Sequence, residues 1–128
     1  VVSKRQGLIE TLYLAIYVLL ATHEIDSAYW HEWQLFHMGG GIQFFLVFNI
    51  VFLWLFLHGF RALVAGRSSG RSFALLLAVT GVVTFLIHSF FLWRGEPQFR
   101  LPGSLAVLAA ILLCSLAQLR VLMKASSD

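Results

Sequence analysis

The sequence predicts an all-α integral membrane protein. Four transmembrane helices form an antiparallel bundle, and the first is extended or bent into an outward interfacial helix. Three observations carry this expectation. Hydrophobic residues make up 59% of the chain and charged residues only 12%. The mean hydropathy is +0.84. The apolar residues fall into four stretches of membrane-spanning length, joined by short connections rich in turn formers. A soluble domain carries roughly a quarter charged residues. A chain this poor in charge cannot clothe itself in water, so lipid must supply much of its solvent.

The spans are expected at about residues 7–23, 41–65, 72–93 and 102–123 of a single transmembrane domain covering 1–128. Between Thr22 and Met38 no Gly or Pro interrupts the chain, so helix one should continue past the membrane surface over about residues 24–37. Span four opens on Pro102, a residue suited to a first helical turn. The connections are Met38-Gly39-Gly40, Gly66 to Gly70 and Arg94 to Arg100. Their brevity makes sequential helices antiparallel neighbours.

Charge sets the expected orientation. One side of the bundle holds Lys4, Arg5, Arg61, Arg67, Arg71, Arg120 and Lys124, and the other holds only Arg94 and Arg100. The richer side is expected in the cytoplasm of a bacterial cell, with both termini, and the multi-pass chain in the inner membrane. The net charge of +3 does not point to nucleic acid, because the basic residues sit at the ends of apolar stretches rather than in a patch. Cys114 is the single cysteine and lies within an apolar run, which excludes an intrachain disulfide. The first apolar stretch lacks small residues at cleavage spacing and reads as a span rather than a signal peptide.

Residues 23–37, H-E-I-D-S-A-Y-W-H-E-W-Q-L-F-H, concentrate three of the five histidines with Glu24, Asp26 and Glu32. Ionisable groups near a bilayer are costly and tend to be functional. The spacing matches no established zinc signature: His23 and His31 are eight apart, about 12 Å along a helix, too far for one ion. His23 and Asp26, three apart, are close enough to share one. Against a site stands a plainer reading. Ile25, Tyr29, Trp33 and Phe36 share a stripe, as on an amphipathic helix lying in the interface.

Helix geometry brings in a second element. Glu10, Tyr13, Tyr17, Glu24, Ser27 and His31 share a face of helix one, and Thr80, Thr84 and His88 repeat every four residues on span three. Polar stripes on spanning helices face the bundle interior. His23 lies sixteen residues beyond Gly7, and His88 sixteen beyond Ser72. Both therefore rise about 24 Å from the cytoplasmic side. His23, Glu24 and His88 are the expected catalytic or ligand-binding trio, with Asp26, His31 and Glu32 as further metal-ligand candidates. An interhelical hydrogen-bonding role for His88 stands on an equal footing with this. His58 is expected to make such a contact, with Glu10 as a partner for it or for Gln118. Phe44, Phe48, Phe52, Phe56 and Phe60 recur every four residues as an aromatic ridge that could flank a flat hydrophobic ligand. Ala106, Ala110 and Cys114 offer span four a small-residue packing face.

The strings T-H-E-I-D-S-A-Y-W-H-E-W-Q-L-F and G-G-I-Q-F-F-L-V-F-N, within residues 22–49, resemble a family of small bacterial multi-span membrane proteins of unknown function. The resemblance implies a small membrane protein and supplies no activity or cofactor. A fainter similarity to sterol-isomerase-like membrane proteins does not extend to the spacing of His and carboxylates.

The expected function is binding of a hydrophobic or amphiphilic small molecule, with or without its conversion, at a His/carboxylate site in the outward half of the bundle. Zn or Fe is the expected metal if one is bound. Two alternatives stand beside it. One is a non-enzymatic accessory subunit docking a membrane partner protein or another copy of itself. The other is a b-type haem protein with His23 and His88 as axial ligands.

Overall fold

The computed structural model describes residues 3–127, with side chains to Ser126. Five helices follow in order: α1 Lys4–Tyr29, α2 Glu32–Leu35, α3 Gly41–Val64, α4 Ser68–Trp93 and α5 Pro102–Ser127. No strand occurs among the described residues. α1, α3, α4 and α5 are each long and apolar enough to cross a membrane.

The burial pattern is that of a protein solvated by lipid. Large apolar side chains cover the outside, Ile50 and Trp54 on α3, Leu86 on α4 and Leu113 on α5 among them. In water such a surface would be a large apolar patch. The core is a column of Ile9, Tyr13, Ile16 and Leu20 from α1, packed on Phe56, Leu77 and Ile111 of the other three long helices. The Tyr13 hydroxyl donates to the Phe56 carbonyl, and Gln118 Nε2 donates to the Ala74 carbonyl at 2.6 Å. Buried polar groups are thereby matched to backbone oxygens across helix seams, as an apolar solvent requires.

The four long helices do not form a square. α1 and α4 touch across the centre, whereas among the described residues the α3 and α5 backbones stay apart. The short diagonal therefore joins α1 to α4, the helices that carry His23 and His88. Close approach is secured by two glycines. A Cβ on Gly70 would run into the Leu63 backbone of α3, and one on Gly81 into Ser115 of α5.

Several expectations change. The Gly66 to Gly70 connection is shorter than its composition indicates, because α4 begins at Ser68 and Gly70 is a packing residue inside it. Of the two forms expected for the end of helix one, extended or bent, the structure has the bent one. α1 ends at Tyr29, His31 adopts a left-handed backbone (φ 53°), and α2 turns back over the bundle end. The aromatic stripe is broken by that turn: Ile25 and Tyr29 are exposed while Trp33 is buried against Phe45. α2 then closes with His37, also left-handed, as the Met38 amide donates back to the Trp33 carbonyl. On α5 the buried face is Ser104, Leu108, Ile111, Ser115, Gln118 and Leu122. Ala106 is exposed, so the small-residue contact falls at Ser115 rather than on the Ala106–Cys114 face. Glu10 pairs with Gln6 at 2.8 Å, not with His58 or Gln118. His58 is exposed and stacks on Trp54.

Candidate metal centre

The end of the bundle where α1 and α4 finish and α5 begins holds three buried polar side chains in one place. His23 comes from the last turns of α1, Glu32 from the start of α2 and His88 from α4. Among the described residues they form a group in which each offers one ligand atom within 4.8 Å of the others. His23 is 1% exposed, His88 2% and Glu32 8%. The two imidazoles meet edge to face with centroids 4.4 Å apart.

The hydrogen bonds around this group decide its chemistry. His88 Nδ1 lies 2.8 Å from the Thr84 carbonyl one turn earlier on α4. A carbonyl only accepts, so the Nδ1 proton is fixed there and Nε2 of the neutral ring carries a lone pair. That Nε2 sits 3.1 Å from Glu32 Oε1, close in distance yet without the alignment of a hydrogen bond. Two electron-rich atoms thus face each other in a buried space and call for a cation or a proton between them. His23 adds a third donor. Its Nε2 lies 3.3 Å from Ser27 Oγ, and its Nδ1 is buried with no partner.

Burial raises the Glu32 carboxyl's pKa, but a proton taken up by the facing imidazoles, His88 above all, together with the Ser27 hydroxyl outweighs it and holds the group below its ordinary range. The ionised form, the one a metal needs, is favoured.

A tetrahedral Zn site spaces its N and O ligand atoms by roughly 3.3 Å, given metal–ligand distances near 2.0–2.1 Å. The His88–Glu32 edge of 3.1 Å already fits. No other edge exceeds 4.8 Å. A ring N–H given to a backbone carbonyl, as His88 gives to Thr84, is the usual outer support of a metal-bound histidine.

An apolar cavity of about 270 Å³ adjoins the three residues. Leu20, Phe45, Phe48, Phe52 and Thr80 also line it, with Glu24 beside His23. Glu24 Oε2 is buried with no partner, and the amide of Asn49 on α3 stands next to that carboxyl. Glu24 is therefore part of the cavity but outside the ligand triad. Asp26 is not in the triad and accepts from Trp30 Nε1 at 3.0 Å. His31 is exposed and stacked on Trp33, because its left-handed backbone sends the ring outward while turning Glu32 in.

Two partners of the site were not singled out from the sequence. Phe99, in the α4–α5 connection, is 1% exposed and lies against both imidazoles, at 5.6 Å from His23 and 4.6 Å from His88. It seals the cluster from the end of the bundle. A lone aromatic in a polar connection was its one signal. Ser27 was read only as part of a stripe, yet it touches His23. The imidazoles' edge contact also bears on haem. Axial histidines hold a flat macrocycle between them, and these rings leave no gap for one.

Residues 9–125 match the model of a family of unknown function, DUF6713. The chain belongs to that family. The matched segment contains His23, Glu32 and His88 together with Glu24 and Phe99, so the whole site lies in the family's shared region. No curated protein and no solved structure matches the chain.

Proposed function

We propose that this DUF6713 protein binds a divalent transition metal, Zn or Fe, through His23, Glu32 and His88. The metal in turn holds the polar head of a hydrophobic or amphiphilic small molecule seated in the adjoining cavity. Two histidines and one carboxylate make a ligand set that both metals use with positions left open. The observation that carries this reading is the His88 ring. Its Nδ1 is committed to Thr84, its Nε2 lone pair meets the Glu32 carboxylate, and a second unpartnered imidazole stands beside them. In a catalytic version Glu24 exchanges protons with the bound molecule. The arginine-rich end is cytoplasmic in this proposal, so the site opens toward the outer half of the bacterial inner membrane.

Elemental analysis and an absorption spectrum of detergent-purified protein test the proposal. About one Zn or Fe per chain is expected, or a cobalt(II) ligand-field band on loading the stripped protein. His23→Ala, Glu32→Gln and His88→Ala should each lose the metal, whereas His31→Ala and His58→Ala should keep it. Thermal unfolding in the same detergent separates lost metal from lost fold. Wild-type protein that neither carries a metal nor develops the cobalt band would leave the accessory-subunit reading in its place.

A further inference from the structure

The cavity has a direction. His88 and Thr80 both line it, and they stand eight residues apart on α4, about 12 Å along the axis. Thr80 is at the middle of α4, while His88 is five residues from its end at Trp93. On α1 His23 is likewise six residues from the helix end at Tyr29. The polar end thus lies just inside the helix ends, and the apolar floor lies at mid-bundle depth. A leaflet lipid has the same arrangement, with its head near the surface and its chain pointing to the midplane.

The mouth is apolar too. Phe44 and Phe48 on α3 are 38% and 43% exposed, and Thr80, Thr84 and Ile87 on α4 are partly exposed, so the opening runs between these two helices. Val47 and Val51 on α3 and Val83 on α4 are exposed as well. A rim of this kind faces hydrocarbon, and the occupant enters sideways from the membrane rather than from water. The volume of about 270 Å³ is enough for one medium chain.

We infer that the occupant is a single-chain amphiphile whose head offers the metal an oxygen and offers Glu24 an N–H or O–H. An ion bound by Glu32 and two neutral imidazoles keeps one net positive charge, which an anionic or strongly polar oxygen matches. Glu24 Oε2, buried and without a partner, accepts the neighbouring proton of the head group. N-acyl and hydroxylated chains have this pairing of groups. The inference rests on the metal site proposed above.

Octanohydroxamate and acetohydroxamate share a head group that chelates a metal through two oxygens and carries an adjacent N–H, and they differ only in chain length. Cobalt is first titrated into detergent-solubilised wild type, Thr80→Trp and Glu24→Ala, so failure of the metal site is seen before any hydroxamate is added. Wild type should bind the octanoyl probe at least tenfold more tightly than the acetyl probe. Thr80→Trp fills the floor, far from the metal ligands. It should bind cobalt and acetohydroxamate as wild type does but lose most of the chain preference. Micelle partitioning of the chain is common to both proteins and cancels in that comparison. Glu24→Ala should keep cobalt and weaken both probes. Thr80→Leu carries the same comparison should the Trp variant fail to purify folded. An equal chain preference in wild type and the filled variants overturns the inference while leaving the metal site standing.

Discussion

Ser27→Ala removes a hydroxyl that touches the proposed metal centre without being a ligand. Ser27 is fully buried on α1, and its Oγ lies 3.3 Å from His23 Nε2. It also stands within hydrogen-bonding reach of the Glu32 carboxyl. One small side chain therefore orients two of the three proposed ligands. Losing such an outer partner typically lowers metal affinity 10–100-fold, which corresponds to about 1.4–2.8 kcal/mol at 1.4 kcal/mol per decade. The substitution removes one oxygen and leaves little void, so the metal-free fold should lose only about 1 kcal/mol, the net worth of an ordinary hydrogen bond. The assay is competition for cobalt or zinc against a chelator of known strength, with thermal unfolding of the metal-free protein run alongside. The expected result is a large effect on metal affinity and a small one on stability. Glu32→Gln, which removes a ligand outright, should exceed it in affinity loss. Metal affinity for Ser27→Ala within twofold of wild type, alongside a clear loss in Glu32→Gln, would refute the idea that Ser27 positions the site.

Other predictions follow from packing, protonation and topology. Gly70→Ala places a methyl group against the α3 backbone and Gly81→Ala against the Ser115 side chain, so both should destabilise the bundle by about 1–3 kcal/mol, the first more than the second. Backbone has no rotamer with which to yield, and detergent unfolding curves compare the two. Metal affinity should fall steadily from about pH 7.5 to about pH 5.5, since protons compete for the imidazoles; a flat chelator-competition profile counts against histidine ligation. In the metal-free protein the folded-state pKa of Glu32 is lowered. The stability it contributes is therefore fully present above its unfolded value near 4.3 and is lost as pH falls through the lowered one. Glu32→Gln should remove that acid-side dependence in unfolding measured against pH. Finally, in a Cys114→Ala background, a cysteine at Ser69 should be labelled only from the cytoplasmic side and one at Pro97 only from outside, and the opposite pattern would invert the proposed orientation.

Much of the site could be read from helix arithmetic. His23 and His88 match in depth because each stands sixteen residues into an expected span, and a constant rise per residue converts that to a common level. The polar face of α1 likewise turns Tyr13 and Ser27 inward, as period alone requires. The third member does not follow from adjacency in sequence. Glu24 adjoins His23 in sequence and was placed in the trio, with Glu32 among the residues nearby. The structure puts Glu32 against His88 and leaves Glu24 on the cavity wall. The reason is the turn at His31, where no Gly or Pro marks the break. A left-handed histidine is uncommon but several-fold more frequent than most residues there.

What the sequence determined by itself is what depends on local repetition and solvent. Apolar length and scarce charge specify four membrane-spanning helices. Gly66 and Gly95, at positive φ, end α3 and α4 where composition alone places turns. Which side chains meet was decided by tertiary structure. The contact of α1 with α4 across the short diagonal brings His23 to His88. The turn at His31 delivers Glu32, and the α4–α5 connection lays Phe99 over both rings. Each of these joins residues far apart in the chain or depends on a single backbone torsion. Periodicity cannot specify either, because it fixes the face a residue occupies and not the partner that face will find.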